Sequence, residues 1–434
     1  MNPTAELARF GATLDAGALP AGVVGSVKRL LMDAIGSALV GWTSPESAQI
    51  RETARAVFGE GDITVIAGDP LSPAGAALTN GYLTTARSFC DVHRPTLCHV
   101  TPVVVPAALA AAEGVGATGP DLIAGLAAGM EALLRIGTAL DYPEFRRRGW
   151  HTPGVAGPLG AALAAARVAG MGADRAADAL GLAGSQAGGT FASFGSPAIK
   201  FHQARAAMAG LVSARLADAG FRGAPDILTA EDGGLLHTFS NGGAPHALTD
   251  DLGTRWHIDE ISTRRWPAAA ALQPVIEAIL DADLDPDGVV GVTVRLPADG
   301  FRMHAAVGWE SPFTATLSAR WVAAVALHDR AVWLAQFGAD RISDERTGSL
   351  ATRVAVTEDP GLADGDAEVV VTTTSGEHRL DSVASSPGWE ETVEKARRAA
   401  EGVLPPDAVD TLVGSIGALE EATDARALLA PLRR

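Results

Sequence analysis

Ten consecutive residues, Cys90-Asp91-Val92-His93-Arg94-Pro95-Thr96-Leu97-Cys98-His99, bring two thiols, two imidazoles and a carboxylate together in a stretch without helical periodicity. Two chemistries fit that density. As a metal centre, Cys90, His93 and one of Cys98 or His99 would hold zinc, with Asp91 behind them. The spacing matches no zinc finger, and the adjacent Cys98 and His99 are poorly arranged to share one ion, so no metal is expected here. As an acid/base pair, Asp91 and His99 would line a cleft, because imidazole titrates near neutral pH and passes a proton either way. A solitary histidine is more often structural, and the crowding of polar groups argues for the functional reading.

Three further segments carry candidate groups. His151 follows the basic run Arg146 to Arg148 and precedes a Gly/Ala-rich helix. There it either packs at a helix boundary or shares the positive field of a helix N-terminus, which favours an anion. Lys200 is one of only three lysines, with Lys28 and Lys395, and it stands between a loop and an apolar helix with His202 two residues on. In a cleft it would hold a carboxylate or stabilise a developing carbanion. Arg264 and Arg265, before Trp266-Pro267, could fork onto carboxylates, although arginine pairs are commonly solvated.

The elements that must position these groups change type along the chain. At 434 residues the length suits two domains. Residues 1–257 read as helices rich in Ala and Gly, including Val27 to Val40, Pro106 to Glu113, Pro120 to Leu140, Gly157 to Ala169, Ala173 to Ala187 and Ala204 to Ala219. With 49 Gly and only 5% aromatic residues, their packing is expected to be close. Residues 258–388 read as an α+β domain. Its strands are predicted over Val289 to Leu296, Ala351 to Thr357 and Ala367 to Thr373, its helices over Ala268 to Asp281 and about Thr316 to Phe337. Residues 389–434 return to helix, so the fold class is mainly α.

A net charge of −17 excludes a broad basic surface for nucleic acid, and it requires any anion site to gather its cations locally. Two cysteines make no secreted-type disulfide framework, and no charged-then-apolar leader is visible, so the cytoplasm is the expected compartment. No stretch reads as the roughly 20 apolar residues of a membrane span.

Together the segments resemble the MmgE/PrpD family, to which 2-methylcitrate dehydratase, cis-aconitate decarboxylase and iminodisuccinate epimerase belong. The resemblance runs through Asp33-Ala34-Ile35-Gly36, Asn80-Gly81, Asp91 to His99, Pro106 to Ala110, Trp150-His151-Thr152, Gly184 to Gly189, Lys200 with His202, and Ser318 within Thr316 to Leu327. It implies a large all-helical domain built from both chain ends, a smaller α+β lid domain and a homodimer. It also implies a site between the domains, with Asp91, His99, His151 and Lys200 in catalytic roles. Arg264, His202, Ser88 and Trp321 would bind substrate, with no cofactor.

The chain departs from the family pattern where His-x-x-Asp-Phe-Asp-Asp-Thr is common: Thr85, Ser88 and Cys90 replace a His and two Asp. Arg264 stands for the usual Lys, Gln273 for a His, Trp321 for a Tyr, and Val100 for a Pro. The expected function is a metal-independent lyase, or an isomerase, acting on a small di- or tricarboxylate by proton abstraction next to a carboxylate. His151 or His99 is the base, and Lys200 and Arg264 hold the developing charge. The alternative is a non-catalytic or repurposed dimeric member that binds a carboxylate-bearing metabolite. An iron–sulfur route is disfavoured by the shortage of thiolates.

Overall fold

Small residues let helix backbones approach closely wherever these helices cross. Gly129, in the helix Gly119–Ala139, faces Gly160 in Gly157–Val168. A Cβ at Gly160 would stand 2.6 Å from Leu133 Cβ and 2.7 Å from the Gly129 carbonyl oxygen, so only hydrogen fits. The structure, a computed structural model, describes residues 2–282, 284–383 and 385–433. It is mainly α-helical and divides into two compact units.

The first unit comprises Met1–Ala86, Cys90–Ile261 and Gly388–Arg434. The predicted helices appear in it as Ala21–Trp42, Thr101–Val115, Gly119–Ala139, Gly157–Val168, Ala173–Gly184 and Ala198–Asp218. The helix Gly119–Ala139 corrects one expectation, because by length and composition it could cross a membrane. Here 94% of its apolar window is buried inside the protein. It also carries the enclosed pair Glu131–Arg135, at 2.8 Å, whose guanidinium donates to the carbonyls of Asp250 and Arg255. It is a core helix. The C-terminal return packs Trp389–Ala400 against Ala21–Trp42, and a buried ion pair, Lys395 Nζ to Asp33 Oδ1 at 2.7 Å, joins them.

The second unit comprises Arg87–Phe89 and Ser262–Pro387. Its four-stranded sheet runs Val354–Glu358, Val289–Leu296, Asp366–Thr373, Gly376–Val383. The first pair is parallel and the other two are antiparallel. Opposed residues Val292 with Val371 and Val294 with Val369 are buried, and the helix Gln273–Asp281 covers the sheet. The predicted helix through Phe337 stops at Asp329, because Arg330 turns left-handed (φ 51°), and a single 3₁₀ turn follows at Leu334–Phe337. The strand expected from Ala351 begins at Val354, since Ala351 still belongs to the helix Glu345–Thr352. Gly376–Val383 was not expected as a strand: on the sheet edge, Gly376 to Arg379 are exposed and show no apolar alternation.

Two glycine substitutions separate close packing from helix propensity. Alanine is the better helix former by about 1 kcal/mol. At Gly160, Ala is nevertheless expected to destabilise by about 1–3 kcal/mol, because backbone and Leu133 must move. At Gly414, inside Pro406–Gly417 with nothing within 4 Å of its Cβ position, Ala should stabilise by up to about 1 kcal/mol. Urea unfolding midpoints measure both, and equal signs would refute the packing account.

Candidate active site

The segment after Cys90 folds back on itself. His93 N donates to Cys98 O (2.8 Å), Cys98 N donates to His93 O (3.2 Å), and Leu97 takes a left-handed conformation (φ 44°) to close the turn. This return sets His99 beside Asp91. His99 Nδ1 lies 2.6 Å from the Asp91 carbonyl oxygen, which can only accept, so Nδ1 carries the proton and the neutral ring keeps its lone pair on Nε2.

The Asp91 carboxylate itself is fully buried at the start of the helix Thr101–Val115, accepting from Val100 N (2.8 Å), Thr101 N (3.0 Å) and the Thr101 hydroxyl. Burial pushes its pKa up to about 6 against the pull of those hydrogen bonds. Asp91 thus acts here as a helix cap and as the anchor of His99.

The four side chains weighed as zinc ligands in this segment have separate partners. Cys90 Sγ faces the Thr85 hydroxyl, Cys98 Sγ the His99 carbonyl, and His99 the Asp91 carbonyl. His93 bonds Thr96 Oγ1 and approaches Glu260.

His151 sits where three chain segments meet. Its backbone N–H donates to Gly189 O (3.0 Å), and Thr152 Oγ1 donates to Thr96 O (2.8 Å), tying it to the Arg94–Thr96 turn. Its Nδ1 lies 3.1 Å from His202 Nδ1, so one ring donates and the other accepts. Lys200 and His202 both stand at the start of the helix Ala198–Asp218; Lys200 is only 6% exposed, within the first turn rather than before the helix.

His151 is held well below the usual imidazole range, first by burial and then by His202, Lys200 and Arg146. Arg146 lies over the Phe191 ring, 3.5 Å from its centroid, and that ring lies 5.9 Å from the ring of His151. Arg205 donates to the carbonyls of Gln186, Gly154 and Gly188, fixing the loop that receives His151 N–H. From sequence, Arg146 marks only the start of the basic run before His151, and Arg205 has no assigned role.

In the second unit Arg264 is 3% exposed and donates through Nη1 to the carbonyls of Ser88 and Ala268. Gln273 accepts from Arg265 N and Trp266 N and donates to the carbonyls of Trp266 and Ala268, so all its amide capacity goes to the loop bearing Arg264. His304, not singled out from sequence, bonds Leu317 O at 2.9 Å, and burial, helped by Arg264, brings its pKa down to about 4. Trp321 is fully buried in this unit, with its indole N–H on Gln336 O (3.0 Å) and its ring stacked near Trp309. The structure therefore gathers His151, His202 and Lys200 with Arg146, joins His99 to Asp91, and joins Arg264 to Ser88.

Comparison with known proteins agrees with this arrangement of elements. Residues 5–247 match the MmgE/PrpD N-terminal domain and residues 266–416 the MmgE/PrpD C-terminal domain. A cis-aconitate decarboxylase-like protein of Aspergillus oryzae is 30% identical over 99% of this chain and 97% of its own. The cis-aconitate decarboxylase of Aspergillus terreus is 30% identical over 64% of this chain and 59% of its own, and that of Homo sapiens 25% over 97% and 92%. With both domains matched in order and a relative aligned almost end to end, the chain belongs to the MmgE/PrpD family.

Proposed function

We propose that the protein is a lyase that acts on a small di- or tricarboxylate without a metal ion at the reacting carbon, with decarboxylation as its leading reaction. The observation that carries this reading is a buried His151, its imidazole pKa held low by burial and by His202, Lys200 and Arg146, in a chain of net charge −17. Cations gathered against such a background favour a polyanion. A bound dicarboxylate would offset their field and raise the pKa of His151, so that the imidazole gains basicity only when substrate is present.

The names of the relatives support decarboxylation within this class. Electrons of the breaking C–C bond pass into the remaining unsaturated carboxylate, carbon dioxide leaves, and an imidazolium returns a proton to carbon. Lys200 and Arg146 hold the negative charge as it spreads. In a dehydration or epimerisation the same His151 would instead remove the proton beside the carboxylate first. His99, whose Nδ1 is committed to the Asp91 carbonyl, is the second proton carrier through Nε2, and Asp91 is a positioning residue.

Turnover of a carboxylate panel, cis-aconitate included, followed by NMR in deuterated water, tests this directly. Di- and tricarboxylates should react or exchange hydrogen, and monocarboxylates should bind much more weakly. His151→Gln should abolish exchange while ligand binding stays measurable, because exchange needs the imidazole and binding needs mainly the cations. Equal affinity for mono- and dicarboxylates would sink the proposal, and unchanged exchange in His151→Gln would move the base role to His99.

The pH profile gives a separate check. In a dehydration or epimerisation, where His151 is the base, its protonation removes activity as pH falls. A depressed pKa delays that loss, so an acid limb of kcat/KM should lie below pH 6.5. In the decarboxylation, where the imidazolium donates, the same pKa sets a limb on which kcat/KM falls as pH rises. Lys200→Ala removes one of the depressing charges and a charge-holding donor. Either limb should move to higher pH, and kcat should fall about 10²- to 10³-fold in a protein with unchanged circular dichroism.

A further inference from the structure

His257 is buried, 7% exposed, and its Nδ1 makes no hydrogen bond. A buried imidazole nitrogen met only by a long contact is poorly satisfied, and its surroundings here suggest what it faces. His257–Glu260 forms one 3₁₀ turn, in which residues three apart stand on the same side, and His257 Nδ1 lies 3.5 Å from Glu260 Oε2. The same carboxylate oxygen lies 3.3 Å from His93 Nε2. The three donor atoms all fall within 4.8 Å of one another.

We propose that His93 Nε2, His257 Nδ1 and Glu260 Oε2 form a binding site for a divalent transition-metal ion, of which zinc is the best fit. Two imidazoles and one carboxylate suit zinc rather than magnesium or calcium, which prefer oxygen. Donors around a tetrahedral zinc at about 2.0–2.1 Å stand about 3.3 Å apart, close to the two distances to Glu260, and a small rotation of the His257 ring brings in the third.

Each ligand is held from behind. His93 Nδ1 bonds Thr96 Oγ1 at 2.8 Å, Glu260 Oε1 receives Arg255 Nη2 at 2.9 Å, and the backbone N–H of His257 donates to Glu131 Oε2 at 2.9 Å. The facing charges balance, Arg135 against Glu131 and Arg255 against Glu260, so the ion would be held by its ligands rather than by a general negative field. Glu260, 35% exposed at its side chain, leaves solvent access for a water as fourth ligand. The ion would fasten the segment bearing Asp91 and His99 to the turn His257–Glu260, a structural role separate from the proposed reaction.

The test uses the full-length protein, stripped with chelator and titrated with zinc by calorimetry and with cobalt by absorption. One ion per chain is expected, with tetrahedral cobalt bands, no thiolate charge-transfer band, and a thermal unfolding midpoint raised by zinc. His257→Ala and Glu260→Gln should each weaken zinc binding by more than the roughly 10- to 100-fold that loss of an outer-shell partner costs, and should remove the zinc-dependent rise. Glu260→Gln, at a partly exposed position, serves as the variant expected to fold normally. No saturable binding, affinity unchanged in both variants, or a thiolate band pointing to Cys90 and Cys98 would each overturn the proposal.

Discussion

Close contact between helix backbones is the constraint from which the rest of the first unit follows. The helix Gly157–Val168 lies against both Gly119–Ala139 and Ala198–Asp218, and it can do so because its contact surface is glycine and alanine. That approach brings the first turn of Ala198–Asp218, with Lys200 and His202, to the chain that enters the same helix pair through His151. The imidazole pair therefore depends on packing made dozens of residues away. A larger residue at the crossing would displace charged groups as well as core.

Burial then sets the electrical state of those groups. Lys200 is enclosed, and its field acts on His151 together with those of His202 and Arg146. Desolvation and like charge push in the same direction, which is why His151 is displaced so far while His202, half-buried and beside Arg205, is displaced less. On the proposed reading a ligand of opposite charge offsets that field, which links the packing of the helices to the selection of an anion.

Legibility from sequence followed the period of the apolar residues. Val289–Leu296 stood out because alternate valines face the helices, and Gly119–Ala139 because it is apolar on nearly every side. Gly376–Val383 stood out to no pattern, since its pairing rests on backbone hydrogen bonds to Asp366–Thr373. At the site, His151, His202 and Lys200 could be named from their settings, but their association could not, nor could the part of Arg146, whose stacking on Phe191 joins residues far apart in the chain. The trio His93, His257 and Glu260 was invisible for the same reason: spacing within Cys90 to His99 says nothing about a turn more than 150 residues later.

The departures from the family pattern gain a physical meaning in the second unit. A histidine at position 273 could not make the four amide hydrogen bonds by which Gln273 fixes Arg265, Trp266 and Ala268. The substitution exchanges a titratable ring for a fixed brace around the loop that carries Arg264. His304, beside it, stays neutral through the physiological range with Nδ1 committed to Leu317 O. Around Arg264 this unit thus offers charge and rigid support. On the proposed reading, proton transfer falls to His151 and His99 of the first unit, and the losses at Thr85, Ser88 and Cys90 remove carboxylates and an imidazole without removing that pair.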